Sequence, residues 1–149
     1  MNAQKGFTLI ELLVVFAIMA LLVSVVPFSF ERMRQSAQYR DALRGMISDL
    51  RSARQQARQQ GREIVFLVDL PNRRFGVWGG AQKSVPEPLQ MRATVAGREM
   101  SGTQVAGIRF LPEGGSTGGS IDLFQASGAG TRVRVDWFSG QVSQEPINP

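Results

Sequence analysis

The stretch "KGFTLIELLVV", residues 5–15, puts a carboxylate, Glu11, near the start of an apolar run that continues to Phe30. Between Phe7 and Phe30 only Thr8, Glu11, Ser24 and Ser29 are polar, and about twenty such residues suffice to cross a hydrocarbon core as a helix. The run therefore reads as a membrane-spanning helix over 7–30. A cleaved secretory signal fits less well: its apolar region is usually about 7–15 residues long and ends at small residues, whereas this one leads into "VVPFSFERMR". Pro27 removes one helical hydrogen bond, so a bend, or a break at the membrane edge, is expected there. In the hydrocarbon a carboxylate costs about 2.5–3.5 kcal/mol on insertion scales. Glu11 thus needs a partner charge or a place near enough to the interface to snorkel. Lys5 ahead of the run favours a cytoplasmic N-terminus, but Arg32 and Arg34 compete at the far end, and charge alone leaves the orientation open.

The rest of the 149-residue chain has room for one modest domain. It contains no Cys and no His, which excludes disulfides and thiolate sites and removes the usual general base and the commonest zinc ligand. No enzyme activity, cofactor or metal is expected. Lys83-Ser84, in a loop-like stretch beside Pro86 and Pro88, has nothing to orient it as base and nucleophile. Asp69, Glu99, Asp122 and Asp136 lack the spacing of a calcium loop and read as surface carboxylates. The segment from Glu113 to Gly119, "EGGSTGG", is not followed by Gly-Lys-Ser/Thr and precedes a strand, so it reads as a flexible surface loop and not a phosphate cradle.

Charge is unevenly placed. Residues 31–62 carry eight Arg against three carboxylates, whereas residues 63–149 balance eight cations with eight carboxylates. Within residues 31–60 only Gly45 interrupts good helix formers, and Met33, Ala37, Leu43, Met46, Ile47, Leu50, Ala53 and Ala57 recur mostly at three- and four-residue steps. That pattern predicts an amphipathic basic continuation of the helix over 31–61, stopped by Gly61. Its Arg-rich face suits lipid headgroups, an acidic neighbour, nucleic acid or plain solvent.

Beyond Gly61 the period shortens to that of strands. "EIVFLVD", "RFGVW", "LQMRATV", "VAGIRFLP", "SIDLFQ" and "TRVRVDWFSGQVS" are separated by turn residues. The last alternates best, with Val133, Val135 and Trp137 on one face, Arg132, Arg134 and Asp136 on the other, and Ser139-Gly140 as a hairpin turn. An α+β fold follows: a long N-terminal helix packed on a C-terminal antiparallel β domain of one or two sheets, residues 62–149.

The order Gly6-Phe7-Thr8-Leu9-Ile10-Glu11, after a short leader containing Lys5, resembles the class III signal of type IV pilins and type II secretion pseudopilins. "GIRFLPEGGSTGGSIDLF" followed by "RVRVDWFSGQV" resembles the C-terminal domain of the GspH/FimT-type minor pilins. The resemblance implies a pilin-like fold with residues 1–6 as a prepilin leader. It further implies cleavage between Gly6 and Phe7 by a prepilin peptidase, methylation of Phe7, and pairing of Glu11 with the new amine of a neighbouring subunit. The implied setting is the bacterial inner membrane, with a cytoplasmic N-terminus and a periplasmic β domain. The implied partners are inner-membrane lipids, the other minor pseudopilins and the major pseudopilin, in the pseudopilus of a type II secretion system. The alternative is a FimT-like minor pilin of a type IV pilus that binds DNA through basic residues around its final turn. This chain has Gly140-Gln141-Val142-Ser143 there, so nucleic acid is not expected as a partner.

Overall fold

Helix α1 (Leu9–Gln60) runs through both the apolar segment and the basic amphipathic one, which continues it as the sequence predicts. The computed structural model describes residues 7–95, 100–101 and 105–148, with the backbone alone at 23–32 and 100–101. Residues 1–37 and 38–149 form separate units. In the first unit the side chains from Leu9 to Leu22 are exposed all round the helix. A helix apolar on every face needs lipid or other helices around it. Among the described residues no helix is long and apolar enough to cross a membrane. The side chains of the second part of the 7–30 run, from Val23 on, lie outside those described.

Among the described residues of the second unit, nine strands form two antiparallel sheets. They are β1 (Ile64–Asp69), β2 (Arg74–Val77), β3 (Lys83–Ser84), β4 (Gln90–Val95), β5 (Met100–Ser101), β6 (Val105–Phe110), β7 (Gly119–Phe124), β8 (Gly130–Val135) and β9 (Val142–Ile147). One sheet has the order β3-β2-β1-β6-β5 and the other β4-β7-β8-β9. Alternation fixes which face is buried, because a slip of one residue would turn every side chain over. Ile64, Phe66 and Val68 face inward and lie opposite Phe110, Ile108 and Ala106. Ile121 lies opposite the equally buried Val133 in the second sheet. The helix stripe Tyr39, Met46, Leu50, Ala53 and Ala57 joins both sets in one buried cluster. Tyr39, left out of the expected stripe, belongs to it with its ring, and its hydroxyl donates to Thr131 Oγ1 at 2.7 Å. The helix stops where expected, with Gly61 at a φ of +60°.

Several surface expectations need correction. Strand β8 ends at Val135, so Trp137 does not continue the buried row of Val133 and Val135 but is 69% exposed. Asp122 is not a surface carboxylate. It is 3% exposed, and it takes Arg132 Nε and Nη2 on its two oxygens at 2.7 and 2.8 Å. Arg92, Asp122, Arg132 and Glu145 lie opposite one another across four strands, an alternating row of charges on the outer face of the sheet. Nor is the Gly-rich segment a loose loop: Gly114, Ser116 and Gly118 are buried. Ser116 N–H donates to Trp137 O at 2.9 Å and Ser116 Oγ to Asp136 O at 3.0 Å, pinning the segment beneath the final hairpin. Lys83-Ser84 forms a short edge strand, and Lys83 Nζ donates to Asp49 on α1 at 2.7 Å, directed away from any nucleophile role for Ser84. Glu99 lies outside the described residues.

Candidate functional site

Two places concentrate features that packing does not explain. The first is the start of α1. Thr8 precedes the helix, and Glu11 N–H donates to Thr8 Oγ1 at 3.3 Å, while Thr8 N–H and Oγ1 both donate to Glu11 Oε2 at 3.4 Å. This is the reciprocal capping box of a Thr-x-x-Glu sequence, with a carboxylate at the positive end of the helix dipole. Cost in the membrane and family resemblance single out Glu11 in the sequence, but neither reveals this local role. The signal for it is present in "TLIE". Phe7, one residue before the cap, is 81% exposed, and Gly6 lies outside the described residues.

The second is the turn between β8 and β9. Asp136 N–H donates to Gln141 O at 3.0 Å, and Gly140 N–H returns to Asp136 O at 2.8 Å. Ser139 donates through both N–H and Oγ to Asp136 Oδ1, each at 2.8 Å. Gly140 adopts a φ of +64°, and a Cβ there would sit 2.6 Å from Gly114 O, so only glycine lets the turn close onto the Gly-rich segment. Held this way, Trp137 and Phe138 point outward with their rings edge to face, 5.7 Å apart.

Helix α1 meets the same turn, with Arg54 Nε donating to Ser139 O at 3.1 Å. A groove of about 680 Å³ follows from this contact, lined by Arg51, Arg54, Gln55, Arg58 and Gln59 of α1 and by Gln141 and Val142 of the hairpin. The sequence places only Arg132 and Arg134 near the turn. The fold commits Arg132 to Asp122 and brings three helix arginines to the turn instead. Helical spacing shows that Arg51, Arg54 and Arg58 share a flank, but not which strand, some 85 residues away in the chain, that flank will meet. Among the described residues no group of His, Cys, Asp and Glu is placed to hold a metal ion.

The two hydrogen bonds from Ser139 hold the Asp136 carboxyl below the ordinary aspartate value of 3.8. A depressed folded pKa stabilises above the unfolded value and loses that contribution as pH falls through the folded one. The turn is therefore expected to be unchanged from neutrality down to about pH 5 and to loosen well below it. Hydrogen-exchange protection of the Ser139 amide checks this: Asp136→Ala should lose it at neutral pH, and protection in the wild type that ignores acid would exclude the carboxylate as its source.

A long helix with an exposed apolar start, continued into a two-sheet antiparallel domain, defines a pilin-like protein. The family model described as prokaryotic N-terminal methylation motif matches residues 1–27, and that for type II transport protein GspH matches residues 42–140. Type II secretion system protein H of Xanthomonas campestris pv. campestris is 33% identical over 143 residues, covering 96% of this chain and 84% of that one. Two structures of the minor pseudopilin EpsH from the type 2 secretion system of Vibrio cholerae share the fold at a TM-score of 0.59 and 15% identity. They cover 73% and 76% of this chain, and 97% of each of theirs. The chain belongs to the GspH family of type II transport proteins.

Proposed function

We propose that this chain is a minor pseudopilin of a type II secretion system, made as a prepilin and built into the pseudopilus that helps export folded proteins across the outer membrane. The observation that carries the reading is the conjunction, in one chain, of the methylation motif over residues 1–27 and the GspH domain over 42–140. Residues 1–6 are the leader, 7–30 the single membrane span, 31–61 the basic continuation of the helix, and 62–149 the periplasmic domain. Prepilin peptidase cuts between Gly6 and Phe7 and methylates Phe7. The N-terminus is cytoplasmic before cleavage, and the apolar helix keeps the processed subunit in the inner membrane until it joins the other pseudopilins. The work is structural, not catalytic. Exposure of Leu9 to Leu22 on all sides of α1 supports it, because such a surface needs lipid first and neighbouring helices afterwards.

N-terminal sequencing and intact mass of the protein purified from host membranes test the processing. The expected first residue is Phe7 carrying one added methyl group, and Gly6→Leu is expected to accumulate the uncut chain. A mature protein beginning at any other residue would overturn the assignment. Deleting the gene is expected to stop export of the host's type II substrates while leaving them folded in the periplasm.

A further inference from the structure

From the groove beside the final hairpin we infer a docking surface for a carboxylate-rich segment of another filament subunit, gripped by Arg51, Arg54 and Arg58 and flanked by the aromatic pair Trp137 and Phe138. The inference rests on the secretion reading above and adds the surface and the chemistry of its partner. Arg51 and Arg58 are exposed, and among the described residues no carboxylate lines the groove they share. Four other cations of the unit meet a carboxylate at close range: Arg132 with Asp122, Lys83 with Asp49, Arg109 with Glu63 and Arg73 with Glu87. Three arginines converging on one concave site without an acid therefore ask for negative charge from outside.

The surface is also rigid where a partner would press. Arg54 is tied to Ser139 O, the turn is closed through Asp136, and the Gly-rich segment supports it from below. Trp137 and Phe138 stand exposed on that fixed turn, one or two residues from the carbonyl that Arg54 holds. Trp and Arg are among the side chains that most often carry the binding energy of protein interfaces. A nucleic acid fits less well. A polyanion crossing the hairpin would run past exposed Glu113 and Glu145, with no cation in the chain after Arg134, and phosphate binding recruits several cations in a row. A short acidic peptide segment needs only the groove.

Site-specific photocrosslinking of the full chain in its host tests this, with p-benzoylphenylalanine at Gln55, at Phe138 and, as a control, at Gln90 on the far edge strand. The expected product from Gln55 and Phe138, but not Gln90, is a crosslink to another pseudopilin, mapped by mass spectrometry to a peptide rich in Asp and Glu. Its yield should fall about tenfold in Arg51→Glu/Arg58→Glu, where two small attractions are lost and two repulsions are added, and survive in Arg51→Lys/Arg58→Lys. Introducing Lys at the mapped acids should restore it. Crosslinks to a second copy of this chain, to nucleic acid or to a neutral peptide, or a yield indifferent to charge reversal, would overturn the docking surface. Export separates this failure from failure of the secretion role: a gene deletion that leaves export intact refutes the role, whereas a deletion that stops export together with a fully active charge-reversal variant refutes the groove alone.

Discussion

Glu11→Gln is expected to be inserted and processed normally and to be excluded from filaments. The carboxylate has two tasks that a single alanine substitution cannot separate. Within the chain it closes the capping box with Thr8, a task glutamine performs nearly as well because the reciprocal contact needs an oxygen at the third helical position and not a charge. Between chains, on the proposed reading, it receives the Phe7 amine of a neighbour displaced by roughly one helical step, about 6 Å for the four residues from Phe7 to Glu11. Removing one member of a buried ion pair costs about 3–5 kcal/mol because the other stays charged and alone, enough to lower incorporation by about two to four orders of magnitude. Glu11→Ala also loses the reciprocal half of the capping box, the acceptor for Thr8 N–H, while Thr8 Oγ1 still caps the residue 11 N–H, so it weakens the helix start as well. Incorporation into pili formed on overexpression, measured by shearing and immunoblotting, discriminates the cases. If the Glu11→Gln variant enters the filament like the wild type and the Glu11→Ala variant does not, capping is the whole role of the residue.

That ambiguity shows what the sequence carries and what it does not. Periodicity was enough for the long helix, its stop at Gly61, most of the strands and the buried face of β8, because each depends on a repeat of two or of 3.6 residues that any local window contains. The N-terminal signal was legible for the same reason, being six contiguous residues. The hairpin site was not. Its chemistry depends on Arg54 reaching Ser139 and on Gly140 fitting against Gly114, contacts between segments whose relative placement no local pattern encodes. Asp122 and Trp137 failed in opposite directions. One is polar but covered by a cross-strand arginine, and the other is apolar but stranded past the end of its ladder. In both, tertiary pairing overrode the side chain's own preference.

Leu50→Ala should produce the largest loss of stability among single changes on the helix. Leu50 is fully buried, in the same cluster as Phe66 of one sheet and Val133 of the other, so its side chain fills space that neither sheet can close without leaving its register. Large-to-small changes at such sites cost about 2–5 kcal/mol, with the upper end reached where neighbours cannot collapse, against a total of about 5–15 kcal/mol for a domain of this kind. Ala53, one turn on and equally buried, tests the reverse: Ala53→Leu overpacks the same interface and should cost about 1–3 kcal/mol. Denaturant unfolding of the full chain in detergent, followed by near-UV circular dichroism, measures both, with half-buried Leu43→Ala as the milder comparison. An unfolding midpoint for Leu50→Ala equal to that of Leu43→Ala would mean that the helix is not wedged into both sheets. The result also bears on the groove. Arg51 and Arg54 ride on the helix next to Leu50 and Ala53, so a variant that shifts the helix without unfolding the domain should weaken crosslinking at the hairpin with every arginine still present.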